Sequence, residues 1–177
     1  MGFVGMPASG KTEAANVARE LGIPVIEMGD IVRAEVKARG LEVTEENVGK
    51  VANDLREKEG MGAVAHRCVP CIKGVGSEAV VIDGMRGVAE AEVYREAFGA
   101  KFTLIAIHAP QKARFERAMA RKREDDIEDW QSFLQKDERE ISWGLPEAMS
   151  MADVSIENDC KLEEFRQRVK TIIEGII

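Results

Sequence analysis

Cysteine is scarce in this chain. Its 177 residues include three, an odd number that does not suggest a disulfide framework. Cys68 and Cys71 fall in "CVPC", but there is no second C-x-x-C, Cys160 is distant, and nothing thioredoxin-like surrounds the pair. They read as reduced structural thiols that bind no metal. The two histidines, His66 and His108, do not join them, and His108 ends an apolar strand where a packed or hydrogen-bonded side chain is expected. No apolar run reaches the ~20 residues of a membrane helix. The first residues lack the basic and apolar regions of a signal peptide, so a cytoplasmic location is expected. Asn-Lys-x-Asp is missing, and no glycine follows the acidic strand end as in Asp-x-x-Gly, which argues against a GTPase switch. Basic side chains are the minority, 25 against 32 acidic ones, for a net charge of −7. That balance speaks against a surface that coats nucleic acid, yet it leaves room for a local basic pocket. Repeats and low-complexity segments are absent.

What is present is a soluble composition, 45% hydrophobic and 32% charged. The length suits one domain over residues 1–177. Runs rich in Val and Ile alternate with helical patterns, which predicts an α/β fold on a parallel sheet. The strands are expected at "MGFVG", "IPVIE", "AVVID", "FTLIAIHA" and "DVSIE". The first is short for a buried central strand, which places its start at or upstream of Met1. Two links exceed what a single crossover helix requires. One, from Met28 to Glu78, holds helical segments near 30–39, 45–59 and 61–73. The other, from Pro110 to Ala152, carries Trp130, Phe133, Leu134 and Ile141 at helical spacing. The last helix is expected to bury Leu162, Phe165, Val169, Ile172 and Ile173.

Chemistry gathers first at "GMPASGKT", residues 5–12, which fits Gly-x-x-x-x-Gly-Lys-Ser/Thr. In such a loop backbone N–H groups wrap the phosphates of a nucleotide. Gly5 and Gly10 allow close approach, Met6, Pro7, Ala8 and Ser9 form the turn, and Lys11 reaches the β/γ oxygens. Thr12 offers a hydroxyl to Mg²⁺, and the helix that follows adds its positive end. Asp83, at the carboxyl end of "VVID", is placed to position Mg²⁺ directly or through water. In "MGDIVRAEV" Asp30 suits a helix cap or a general base, and Arg33 one turn later suits a phosphate of the acceptor. Arg86 joins it from the next strand end. Arg114, Arg117 and Arg121 fall on one helical face, which suits neutralisation of a transferring phosphate, with Arg139 returning to the same site. Lys122 and Arg123 read as solvated.

Together "GMPASGKT", "MGDIVR", "VVIDGMR", "RFERAMARKREDD", "DERE" and "ADVSIEND" resemble an archaeal family of P-loop kinases related to adenylate kinase or dephospho-CoA kinase. The resemblance implies a P-loop NTPase of the nucleotide-kinase type: a five-stranded parallel sheet, an acceptor-binding insertion over about 29–77 and an arginine-rich lid over about 111–142. It implies ATP with Mg²⁺ as donor, and Asn158 near the donor base. The acceptor it implies is nucleotide-like, a nucleoside monophosphate first. A hydroxyl acceptor as in dephospho-CoA kinase, or a nucleotide-binding regulator with weak ATPase activity, are the alternatives. Ala8 stands where these loops carry Gly, which predicts a strained or altered backbone there. "DGMR" is one residue shorter than the adenylate-kinase segment, and no cysteine cluster marks a zinc-bearing lid.

Overall fold

The computed structural model describes residues 1–121 and 129–177, without the side chains of Glu45 and Arg121. The β-branched runs become β1 (Gly2–Val4), β2 (Val25–Glu27), β3 (Val81–Asp83), β4 (Leu104–His108) and β5 (Val154–Glu157). They pair in parallel in the order β2-β3-β1-β4-β5. Successive side chains of a strand face opposite sides, and the core divides accordingly. Phe3, Val81, Ile105 and Ile107 point to one face, where α1 (Lys11–Glu20) and α9 (Leu162–Ile176) cover them. Val4, Ile82, Leu104 and Ala106 point to the other.

That second face is covered by helices from the long links. Between β2 and β3 run α2 (Met28–Ala38), α3 (Glu45–Glu59) and α4 (Ala63–Gly74), close to the expected segments. Thr44 caps α3 by accepting the Asn47 amide, an N-cap the oxygen of threonine suits. Asp30 is no cap: α2 already begins at Met28, so Asp30 lies inside its first turn. After α5 (Val88–Phe98) and β4, the second link forms α6 (Gln111–Arg121), α7 (Trp130–Ser142) and α8 (Leu145–Ser150). A capping box of Asp129 and Ser132 starts α7.

Periodicity found the helices but not every buried face. Of the apolar residues spaced along α7, Phe133 is fully buried, whereas Trp130 and Ile141 are exposed. In α9, Phe165, Val169 and Ile173 are buried and Leu162 is exposed. Leu162 opens its helix, so it projects beyond the α1 surface on which the later turns pack. Each fully buried apolar side chain of that stripe contributes about 1.5–3 kcal/mol. Cys68 is buried and Cys71 exposed on α4, and burial pushes the Cys68 thiol up to about 11.

Candidate functional site

The segment 5–12 leaves the end of the central strand β1 and turns directly into α1. Its glycines are required sterically. A Cβ on Gly5 would stand 2.5 Å from the Ile107 carbonyl oxygen. One on Gly10, whose φ is 116°, would stand 2.4 Å from Asn158 Nδ2. Ala8 does adopt the left-handed region, at φ 59°, a conformation that costs a residue with a Cβ about 1–2 kcal/mol. Lys11 Nζ folds back and donates to the Gly5 carbonyl and, at 3.0 Å, to that of Met6. Thr12 is exposed beside it.

Asn158 sits behind the loop, 5% exposed. It donates from Nδ2 to the Ser9 carbonyl at 2.7 Å, and its own carbonyl and Oδ1 accept from Arg117 at 2.9 and 3.1 Å. Both ends of the amide are thus engaged, and Asn158 braces the loop from its rear. Arg117 lines a hollow of about 400 Å³ with Pro110, Ala113, Asp159 and Cys160 on this flank.

Arg114 departs from the expected arginine row. It is 5% exposed and forms a two-pronged ion pair with Asp137 of α7, at 2.7 and 2.6 Å. It lies over the Phe133 ring and also donates to the Pro7 carbonyl at 3.1 Å. Its guanidinium is consumed in joining α6, α7 and the loop, so it is structural. The Arg121 side chain, Lys122 and Arg123 lie outside the described residues.

On the other flank a cavity of about 640 Å³ opens between β2, β3, α2, α3 and α7. Register places Glu27 directly beside Asp83 at the carboxyl ends of their strands, and both line it. Burial raises the Asp83 carboxyl, opposed first by the charge of Lys11. Arg33 also lines the cavity, but it is already held by Asp30 at 2.5 Å and by Glu27 at 3.5 Å. Asp30 is exposed and does not belong to the wall. The rest of the lining includes Lys50, Arg56, Arg86, Arg139 and Trp143. The guanidinium carbons of Arg56, Arg86 and Arg139 stand 5.9, 5.4 and 5.6 Å from the centroid of the Trp143 ring. Sequence reasoning named Arg33, Arg86 and Arg139 but missed Glu27, Arg56 and Trp143. Glu27 had a signal, since an acidic residue ends a β strand next to the one ending in Asp83. Arg56 and Trp143 had none, because three separate elements bring the cluster together.

The parallel sheet, the phosphate loop leaving its central strand, and the cavity beside that loop define a P-loop kinase-like fold. Residues 4–133 match the family model described as an AAA domain. The chain belongs to the UPF0200 family. It is 52% identical over 175 residues to the UPF0200 protein of Methanosarcina mazei, covering 99% of this chain and 94% of that one. It is 54% identical over 173 residues to the UPF0200/UPF0201 protein of Archaeoglobus fulgidus, covering 97% of this chain but 54% of that longer protein. Among solved structures it resembles a gluconokinase from Sinorhizobium meliloti, with a TM-score of 0.58, 16% identity and coverage of 99% and 91%. A shikimate kinase from Aquifex aeolicus gives 0.56, 18%, and coverage of 98% and 95%. At these identities the likeness is one of fold. Among the described residues no helix is long and apolar enough to cross a membrane.

Proposed function

We propose that the protein is an ATP-dependent phosphotransferase acting on a small, nucleotide-like anionic molecule. One observation carries the reading: the phosphate loop leaves β1, β1 pairs with β3, and Asp83 at the end of β3 lines the large cavity. Donor phosphates and an acceptor therefore meet at the strand ends, where open α/β sheets bind ligands. Residues 5–12 would cradle the donor. The hollow beside Arg117, Asp159 and Cys160 would take its base, and segment 29–77 would form most of the acceptor wall. The arginine-bearing segment 111–142 would act as the lid. The glycine cradle, the Thr12 hydroxyl and the half-buried Asp83 fit Mg²⁺·ATP, with Asp83 acting directly or through water. When bound, the ion spreads the charge of the β- and γ-phosphates.

In the reaction an acceptor oxygen bonds to the γ-phosphorus as the bond to the β,γ-bridging oxygen breaks, and ADP leaves. A proton carried by that oxygen passes to the Glu27 carboxylate, beside Asp83 at the strand ends. Catalysis in this class is alignment and charge stabilisation. The test is a screen of mononucleotides, dephospho-CoA and hydroxy acids with γ-labelled ATP, scored by label on the acceptor. ATP loss with no labelled acceptor across the panel would favour a nucleotide-binding regulator with weak hydrolysis.

Two variants probe assignments made from the sequence. Asp30→Asn should keep turnover within about tenfold of wild type, below the ~10²-fold loss expected of a general base. Steady-state rates with thermal melting check this, and a loss above that range with unchanged stability would return the base role to Asp30. Arg117→Ala should weaken binding of an ATP analogue about tenfold, the scale of a cation stacked on a desolvated ring. Calorimetry decides: unchanged affinity with depressed turnover would place Arg117 at the transferring phosphate instead.

A further inference from the structure

We infer that the acceptor is gripped through an anionic group that is not the group phosphorylated, and that its seat is Arg56, Arg86 and Arg139 around Trp143. The inference rests on the phosphotransferase reading and names the acceptor's chemistry within it.

Charge accounting separates this seat from Arg33. Asp30 already neutralises Arg33 at 2.5 Å, and Glu27 is shared between Arg33 and Arg19. Around Trp143, Arg86 pairs with Glu140, and Arg56 pairs with Glu90 at 3.3 Å. Arg139 contacts the indole but no carboxylate among the described residues. Three guanidiniums thus face two ion-paired carboxylates, while a third, Glu147, lines the adjoining recess without pairing with any of them. The ring attracts all three guanidiniums through its quadrupole without cancelling their charge. The Arg139 fork is therefore uncommitted among the described residues at the cavity wall, and planar guanidinium forks match phosphate or carboxylate oxygens.

Location separates the seat from the reacting atoms. Arg56, Arg86 and Trp143 also line a second recess of about 170 Å³, with Val88, Ala89 and Glu90. Glu27, Asp83 and Gly84 line only the first cavity. Arg56, Arg86 and Trp143 therefore stand where the cavity adjoins the recess, a part that Glu27 and Asp83 do not line, and Arg139 joins them on the Trp143 ring. A bound acceptor reaches from one part to the other. Its anion rests on the arginines, and the oxygen to be phosphorylated, a hydroxyl, lies by Glu27 and Asp83. A nucleoside monophosphate, whose phosphate is itself the reacting group, would leave the seat empty. The chemical class is a small alcohol bearing a phosphate or carboxylate at its far end.

The experiment needs no knowledge of the acceptor. Trp130→Phe leaves Trp143 as the single tryptophan, and inorganic phosphate and malonate are titrated separately against its emission. A saturable change is expected with at least one probe, and the tighter of the two names the anion. Arg139→Ala should weaken that probe about tenfold or more, the scale of a hydrogen bond to a charged group. Arg139→Lys should recover part of the loss. Arg56→Gln provides a second reading should Arg139→Ala perturb the helix, as circular dichroism would report. Saturating Mg²⁺ with a non-hydrolysable ATP analogue should leave the probe's affinity undiminished. Competition between probe and analogue would overturn the inference, since the seat would then be the reacting position. A probe response absent, or indifferent to both arginines, would overturn it too. Failure of the analogue to bind in calorimetry would instead undo the phosphotransferase reading, because the seat is measured without nucleotide.

Discussion

Lys11→Ala should depress phosphoryl transfer by about 10²–10³-fold or more, the scale on which a single preorganised charge donor acts at a transition state. The reason lies in the loop. Gly5, Gly10 and the start of α1 offer partial charges, while Lys11 carries the full positive charge of the 5–12 segment. Its ammonium rests on the Gly5 and Met6 carbonyls. Those contacts are local, so their loss should move the melting temperature little. Nucleotide affinity should fall with turnover, because the same charge meets β and γ oxygens in the ground state. Wild-type affinity and turnover in the variant would refute the assignment of residues 5–12 as the donor site.

The second large effect is on stability. Asp137→Ala should destabilise the protein by about 3–5 kcal/mol, because it strands the Arg114 guanidinium without its carboxylate in a buried setting. For a chain of this size that corresponds to a fall of roughly 6–20 °C in Tm. Replacing both partners with apolar residues, Arg114→Met with Asp137→Leu, should recover most of the loss, since no buried charge is then left alone. The contact of Arg114 with the Pro7 carbonyl is removed only in the double variant. The double variant should therefore melt near wild type while its loop binds nucleotide less well. A loss under about 1 kcal/mol in Asp137→Ala would mean that the pair is solvated, as exposed ion pairs are.

The contrast between Lys11 and Arg114 shows what the chain discloses and what it withholds. The loop's pattern is local, eight consecutive residues, so "GMPASGKT" announces itself even though the groups that crowd Gly5 and Gly10, Ile107 and Asn158, are distant in sequence. Strands are legible for the same reason, because runs such as "LIAIH" suit a buried parallel sheet. Arg114 is different. Spacing puts it on a helix face, but only tertiary packing decides that the face meets Asp137, 23 residues away. Arg56, Arg86 and Trp143 come from α3, the loop after β3 and the end of α7, and no periodicity links them. Asp30 illustrates a boundary effect. A two-residue shift in the start of α2 turns an expected cap into a first-turn carboxylate that holds Arg33.

One contact bears on synthesis. The Ser9 carbonyl is held by the Asn158 amide, 149 residues later, and α1 packs on Phe165, Val169 and Ile173 of α9. The phosphate loop is therefore translated early and completed late. A nascent chain that has extruded residues 5–12, α2–α5 and β4 still lacks the brace and the helix that hold the loop in shape. At typical elongation rates of about 5–20 residues per second, roughly 7–30 seconds separate the two. Over that interval the ribosome-bound protein should have no affinity for nucleotide. Nucleotide binding would begin only once the segment from Asn158 through α9 clears the exit tunnel.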